Sequence, residues 1–282
     1  MAGYGRRPLW VKGDQVARRS WLALLPASKG NAPGGTGPAW RDAATEPALA
    51  VTKAFMATVE AGDDATVERI CQARSAQVTQ ARAAVADLLD APTRPAWQRY
   101  IGVVHGAADP KSLDGPVRRR FLDHVAYVSA LAGLVAASDP LPSCRLPMAA
   151  RLDPLGGLAT WWRPIVASSL DALLAPGARL WLLTGGEYER AVAWPAGCQP
   201  IKLAFTAQRG QAFGTPPSAA LKQARGLLAR RLAQEPTLAR RPDHPGWDEV
   251  TFVAGGRHFR LADAGHDHQT WHATAGDGPG TG

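Results

Sequence analysis

Short apolar runs alternate along the chain with longer segments whose hydrophobic residues recur every three or four positions. The runs Trp21–Leu25, Arg179–Leu183 and Ile201–Phe205 are short and mostly apolar, which is typical of buried strands in a parallel or mixed sheet. Val250–Val253 and His258–Leu261 surround a Gly-Gly pair and predict a hairpin. The alternation predicts an α/β fold, a single domain with a mixed sheet of short strands surrounded by helices.

Several longer segments show helical spacing. Ala65–Cys71, Ala76–Leu89 and Leu158–Leu174 carry apolar residues on one helical face. A further helix is predicted to begin at Pro116 and to continue through Leu131. These helices are expected to cover the sheet.

The segment Pro216–Gln234 predicts one amphipathic helix, with Ser218 as its N-cap. Lys222 and Arg225 lie three residues apart, before the helix C-terminus where the dipole favours cations. Gly226 costs a helix about 1 kcal/mol relative to Ala, so it is expected to serve close packing or close approach to a ligand. The alternative is a surface helix with a solvated basic face.

The loop that follows the first predicted strand runs from Pro26 to Pro38 and is rich in Gly, with Ser28 and Lys29 near its start. Loops after the carboxyl ends of strands are where α/β proteins bind ligands. Free backbone N–H groups and Lys29 are able to hold an anion there, although a plain flexible turn explains the composition equally well. Neither a P-loop nor a dinucleotide-binding glycine motif is present.

A net charge of +8 permits an anionic partner, either nucleic acid or a phosphorylated ligand. The abundance of Arg, Ala, Gly and Pro also fits the codon bias of a GC-rich genome, so charge alone does not decide. Among carboxylates, Glu187 follows a predicted strand and is a candidate acid or base, with Tyr188 beside it as a hydrogen-bond donor; Glu187 could equally cap a helix.

Three widely spaced cysteines, Cys71, Cys144 and Cys198, without a CxxC pair suggest neither a disulfide framework nor a zinc site. They fit a reducing cytoplasm. The longest nearly apolar run, Ala126–Ala137, is shorter than the roughly 20 residues that span a bilayer. We expect a cytoplasmic protein with no membrane partner and no metal, and the sequence identifies no cofactor.

Three parts of the chain are predicted. Residues 1–19 form a basic N-terminal extension, residues 20–263 form the α/β domain, and residues 264–282 form a disordered tail.

Seven segments in order resemble the YaaA family, the peroxide stress proteins, and the resemblance covers roughly residues 21–262. Its opening motif, LLPASKGNAPGG, is similar to the family's LLPPSEGKxPGG, and KQARGL to its AKxARGL. The segments are Leu24–Gly35, Tyr100–Gly102, Val128–Val135, Asp139 with Arg145–Met148, Trp161-Trp162, Glu187-Tyr188 and Lys222–Leu227.

The resemblance implies an intracellular α/β fold with a positively charged cleft, DNA binding and protection of DNA during peroxide stress. It also implies a helix-hairpin-helix, which binds the DNA backbone without reading sequence and which we place at Ala130–Gly133. This chain departs from the family where Ala130 replaces the first glycine of that turn, and from one branch of the family where Lys29 and Asn31 replace Glu and Lys.

Three hypotheses follow. In the first, a DNA-binding stress protein contacts backbone phosphates through its cleft. In the second, an enzyme acts on a small anionic or nucleotide-like substrate, with Lys29 and Lys222 binding the anion and Glu187 and Tyr188 carrying the chemistry. In the third, the chain only scaffolds a partner. The candidate nucleic-acid or anion-binding residues are Ser28, Lys29, Arg145, Lys222, Arg225 and Arg230.

Overall fold

The structure is a computed structural model, and it describes residues 18–209, 212–214, 218–241, 247, 251–254, 257–263 and 270–276. Nearly all of the predicted basic extension, residues 1–19, lies outside the described residues.

A mixed sheet forms the centre of the domain, which confirms the predicted α/β class. Within the described residues it has nine strands in the order β11-β12-β13-β9-β8-β1-β3-β4, with β10 paired to β9. Strands β13, β9, β8, β1 and β3 run parallel to their neighbours in that series, and the two ends of the sheet are antiparallel. Two small two-stranded sheets, β2-β5 and β6-β7, lie apart from it. The strands are β1 (Arg19–Pro26), β2 (Arg94–Pro95), β3 (Val125–Ser129), β4 (Gly133–Ala136), β5 (Pro140–Leu141), β6 (Arg151–Leu152), β7 (Gly156–Gly157), β8 (Leu174–Leu182), β9 (Gln199–Arg209), β10 (Ala212–Gly214), β11 (Thr251–Ala254), β12 (Arg257–Asp263) and β13 (Thr270–Gly276).

Helices pack around this sheet. Short 3₁₀ turns occupy Ser75–Gln77 and Pro110–Ser112. The helices are α1 (Trp40–Ala43), α2 (Glu46–Ala61), α3 (Asp64–Cys71), α4 (Val78–Ala86), α5 (Ala96–Arg99), α6 (Val103–Ala108), α7 (Gly115–His124), α8 (Leu158–Leu173), α9 (Glu187–Arg190), α10 (Ser218–Gln234) and α11 (Pro236–Arg240). Of these, α3, α4, α8 and α10 lie close to predicted helices.

Strand β1 lies in the middle of the sheet. Its residues Trp21–Leu25 are fully excluded from solvent, and Ala23 is paired with Val125 of β3 on one side and with Trp181 of β8 on the other. A strand that is buried on both faces needs apolar residues at every position, which is why the continuous run in the sequence predicted it correctly.

The predicted helix from Pro116 to Leu131 is wrong in its second half. Helix α7 ends at His124, and β3 follows at once. Every residue of β3 is buried, so both faces of the strand pack against the interior. Val125 and Val128 are three residues apart and mimic helical spacing, but β-branched residues in a short buried run favour a strand.

The segment Ala130–Gly133 is the turn of a β-hairpin between β3 and β4, so the helix-hairpin-helix expected there is absent from it. Gly133 has a φ of 70°, and a Cβ atom at this position would lie 2.6 Å from the ring of Trp162. The indole of Trp162 donates a 2.7 Å hydrogen bond to the carbonyl of Ala130. Gly133 therefore permits both the left-handed turn and the packing of α8 against it.

Helix α10 confirms the predicted helix after residue 216 and packs closely on α6. A Cβ atom on Gly226 would lie 2.0 Å from the carbonyl oxygen of Val104 and 2.9 Å from Cβ of Ala107. Gly226 thus serves close packing between two helices, one of the two roles expected of it.

The C-terminal part of the described chain extends the sheet. Strands β11 and β12 form the predicted hairpin. The segment 264–282, for which the sequence predicts disorder, contains strand β13, which pairs with β12 and with β9. Among the described helices, none combines the length and the apolar character needed to cross a membrane.

We expect Gly226→Ala to lower the free energy of unfolding by about 1–3 kcal/mol, the usual cost of overpacking, because the added methyl group would meet the backbone of α6. Urea denaturation monitored by circular dichroism measures this change.

Gly106→Ala in α6 is the matched control, because nothing lies within 4 Å of its added Cβ atom. Helix propensity alone then applies, so the stability stays equal or rises by up to about 1 kcal/mol. Equal effects of the two substitutions would contradict the role assigned to Gly226.

Candidate functional site

Three loops meet where β3, β1 and β8 end, because these neighbouring strands are parallel. The loop after β1 carries Ser28 and Lys29, β3 ends at Ser129, and Thr184 and Gly185 follow β8. Strand β1 has a parallel neighbour on each side, β3 and β8, and open α/β sheets bind ligands outside the carboxyl ends of their strands.

Hydrogen bonds fix the loop after β1. Ser28 Oγ accepts a 3.0 Å hydrogen bond from the backbone N–H of Gly30. The amide of Asn31 donates a 3.0 Å hydrogen bond to the carbonyl of Cys144, and Asn31 forms a backbone bridge with Tyr100. The loop is therefore fixed by the hydrogen bond to Cys144 and the backbone bridge with Tyr100, in contrast to the plain flexible turn that was the alternative.

The fully buried guanidinium of Arg99 holds the same loop from below. It donates hydrogen bonds to the carbonyls of Ala32, Pro92 and Leu141. Burial lowers the pKa of Arg99 from its usual value. Arg99 was not among the predicted functional residues. The only feature of the sequence that points to it is its position directly before the Tyr-Ile-Gly motif.

A buried cluster of aromatic and titratable groups lies beneath the loop. The rings of Tyr100, His105 and Tyr127 have centroids 5.1–5.3 Å apart. The hydroxyl of Tyr100 is hydrogen-bonded to Ser129, and burial raises the pKa of both tyrosines. A Cβ atom on Gly102 would lie 2.3 Å from Ser28 Oγ, so the glycine lets this cluster approach the loop.

His105 is uncharged at neutral pH. Burial lowers the pKa of its imidazole from 6.5 to about 4, partly opposed by a hydrogen bond from the ring to the carbonyl of Pro26. The cluster under the loop is therefore polar but uncharged at neutral pH.

An open cleft of about 260 Å³ lies beside the loop, and we call it the α4 cleft. Lys29 and Arg145, both predicted as anion-binding residues, line it and are exposed. Within the described residues no carboxylate lies at ion-pair distance from either side chain. The remaining lining comprises Asn31, Cys71, Ala73, Gln77, Gln80, Ala81, Ala84, Val85, Leu88, Ser143 and Cys144.

Two of the three cysteines line the α4 cleft, which sequence reasoning did not foresee. Burial raises the pKa of both thiols, and a nearby negative charge on Cys71 would raise that of Cys144 further. The charge of Arg145 opposes the shift at Cys71. Both groups are therefore uncharged thiols at neutral pH.

The other predicted cation at this end of the sheet, Arg225, is half-buried against the loop after β8. A Cβ atom on Gly185 would lie 2.9 Å from its guanidinium. Burial lowers the pKa of Arg225, and the charge of Glu189 opposes this. Beside it, the hydroxyl of Thr184 is buried without a hydrogen-bond partner within the described part of the chain.

The predicted acid or base, Glu187, forms an ion pair of 2.8 Å with Arg190, and Glu189 forms one of 2.8 Å with Lys202. Glu187 does not line the α4 cleft. Tyr188 is half-buried, burial raises its pKa, and it lies close enough to influence the ionisation of Tyr100.

Arg230 and Lys222 occupy different positions from the cleft cations. Arg230 donates hydrogen bonds of 2.9 Å to the carbonyl of Asp109 and 2.8 Å to Oγ of Ser112, so it ties α10 to the turn after α6. Lys222 is exposed on α10. Neither lines the α4 cleft, and neither does Arg225.

Acidification is expected to destabilise the protein through His105. Its pKa is about 4 in the folded chain and 6.5 as a model value, so the unfolded chain binds a proton first as the pH falls through this window. Stability from this group is complete above pH 6.5 and is lost toward pH 4. Between pH 7 and 5 the loss is about 2 kcal/mol.

His105→Gln removes this titration, so its free energy of unfolding should fall about 2 kcal/mol less between pH 7 and 5 than that of the wild type. Urea denaturation of both proteins at the two pH values checks this. The same loss in both would show that His105 does not carry the effect.

The segments that build this site lie in the part of the chain that is similar to known proteins. A family model described as "Peroxide stress protein YaaA" matches residues 22–239. A UPF0246 protein of Streptomyces coelicolor is 32% identical over 178 residues, which cover 61% of this chain and 67% of the relative. One of Paracidovorax citrulli is 33% identical over 156 residues, covering 54% and 60%, and one of Methylibium petroleiphilum is 34% identical over 149 residues, covering 51% and 57%.

The matches to these relatives thus span between 57% and 67% of their lengths. The family match covers β1 and β3, the loop with Lys29, the segment with Arg145, β8 and helix α10. This chain belongs to the YaaA family of peroxide stress proteins.

Proposed function

We propose that the protein binds the phosphate backbone of DNA at the carboxyl end of β1 and acts in the response to peroxide stress. The observation that carries the proposal is that Lys29 and Arg145 line one open cleft with no carboxylate paired to them among the described residues. Cations that are not neutralised by the protein are available to phosphates.

The charge balance around the cleft supports this proposal. Glu187 and Glu189, the carboxylates of the neighbouring loop, are each paired with a base. The cluster beneath the loop that contains His105 is uncharged at neutral pH, and the buried guanidinium of Arg99 adds a further positive charge. Lys29 and Arg145 therefore carry charge at the cleft that no described carboxylate balances, and the whole chain carries a net charge of +8.

The predicted contacts divide by position. Lys29 and Arg145 are open to a phosphate, and Lys222 adds an exposed charge on α10. Arg225 is half-buried behind Gly185 and is suited to one phosphate that approaches that loop. Arg230 uses one nitrogen of its guanidinium on Asp109 and Ser112, so we expect a smaller contribution from it.

The enzymatic hypothesis has less support in the geometry. Its proposed acid or base, Glu187, is ion-paired with Arg190 and lies outside the α4 cleft. A general base must reach the proton that it abstracts. The proposed role in peroxide stress rests on the family to which the chain belongs. A protein that binds the DNA backbone would act in that response by protecting the DNA.

Fluorescence anisotropy with labelled duplex DNA across a salt series tests the proposal. We expect Lys29→Ala/Arg145→Ala to reduce the slope of log K against log salt by about 1.8, since each phosphate contact on duplex DNA contributes about 0.9. Lys222→Ala alone should reduce it by less than the double substitution.

Lys53→Ala/Arg240→Ala is the matched control, because it removes the same charge from two exposed residues away from the cleft, on α2 and α11. Its slope should equal that of the wild type. Equal losses in both double variants would indicate a general charge effect, and no binding by the folded wild type at low salt would refute the proposal.

A further inference from the structure

We propose that the α4 cleft is a binding site for a purine mononucleotide, with its phosphate between Lys29 and Arg145 and its base on the wall formed by α4. This site uses the same two cations as the proposed function but does not require DNA binding. A volume of about 260 Å³ is near the low end for small-molecule sites, which span roughly 300–1,000 Å³, and it is far too small to enclose a duplex.

The cationic part of the cleft suits a phosphate. Lys29 offers a compact ammonium group, and Arg145 offers a planar fork that can bind two phosphate oxygens at once. The amide nitrogen of Asn31 is already committed to the carbonyls of Cys144 and Lys29. The two cations and the hydroxyl of Ser143 are therefore the side-chain groups left to hold an anion in this part of the cleft.

Another part of the lining is apolar. Ala81, Ala84 and Val85 share one face of α4 by their spacing, Leu88 lies in the turn that follows the helix, and all four line the cleft. Val85 and Leu88 are buried, whereas the two alanines project only a methyl group. Such a shallow wall offers room for the face of a flat ring.

Amide groups lie along the same stripe. Gln77 and Gln80 are exposed and line the cleft near the start of α4. A glutamine amide carries both a donor and an acceptor and matches the N6 and N7 positions of adenine. A ligand with a phosphate at one end and a purine at the other satisfies all three parts of the cleft.

The thiols of Cys71 and Cys144 do not oppose this ligand. Both have raised pKa values because they are buried, so they bring no negative charge close to a bound phosphate. Cys198 lies on another part of the chain, between α9 and β9, and does not line the cleft. It provides an internal reference for chemical protection of Cys144.

Isothermal titration of the full chain with adenosine monophosphate, adenosine and inorganic phosphate tests the site. We expect the nucleotide to bind at least tenfold more tightly than either fragment. Ala84→Leu fills the cleft and should weaken nucleotide binding at least tenfold. Ala83→Leu is the matched control, since Ala83 is an exposed neighbour on α4 that does not line the cleft, and its affinity should equal that of the wild type.

The same samples give two further readouts. The nucleotide should slow alkylation of Cys144 relative to Cys198, measured by mass spectrometry. Ala84→Leu should leave the salt slope of DNA binding unchanged, because it removes no charge, so loss of the nucleotide site and loss of DNA binding are distinguishable.

Several results would overturn the site. They are no binding of adenosine monophosphate by the wild type, equal affinities of the Ala84→Leu and Ala83→Leu variants, and unchanged alkylation of Cys144. Inorganic phosphate that binds as tightly as the nucleotide would also overturn it, by reducing the cleft to a simple anion site.

Discussion

The burial of β1 is the constraint on which the rest of the structure depends. Trp21–Leu25 are excluded from solvent on both faces, and parallel neighbours satisfy the backbone on both sides. At about 25 cal/mol per Å² of apolar surface, such a strand is among the strongest local contributions to folding. Because β3 and β8 must run parallel to it, their carboxyl ends are delivered to one edge, and the loops with Ser28, Ser129 and Gly185 meet there.

The charged and titratable groups at this edge of the sheet differ in how deeply they are buried. The guanidinium of Arg99 is buried and bonded to three carbonyls, so it acts as a structural clamp on the loop. His105, Tyr100 and Tyr127 beneath the loop remain uncharged because burial disfavours their ionised forms. Lys29 and Arg145 lie at the surface, in contact with water. The protein thus exposes the cations that a ligand can reach without the cost of burying them unpaired.

The sequence predicted those elements whose pattern is local. Continuous apolar runs identified β1, β8 and β9. Lys29 and Arg145, which the motifs singled out, line one cleft, and their role in anion binding stays a prediction. Val125–Ser129 failed because a short buried run carries no periodicity that separates strand from helix. The bond from Arg230 to Asp109 joins residues 121 positions apart, and no local signal reports such a contact. The sequence also did not predict that Ala81 and Ala84 of α4 line a cleft, because an apolar helical face has the same spacing whether it packs in a core or lines a cleft.

Helix α10 forms where the sequence predicts a helix, but its basic residues have different roles. Gly226 lets α10 lie against the backbone of α6, and this contact fixes which side chains face which neighbour. Arg225, one residue earlier, is directed at Gly185, whereas Arg230 reaches the turn after α6. Helical geometry separates these two arginines by about 7.5 Å along the axis and by about 140° around it, so they face different neighbours. Helix α10 therefore has two roles. Arg230 stabilises the contact between α10 and the turn after α6, whereas Arg225 lies at the loop after β8, where an anion could approach it.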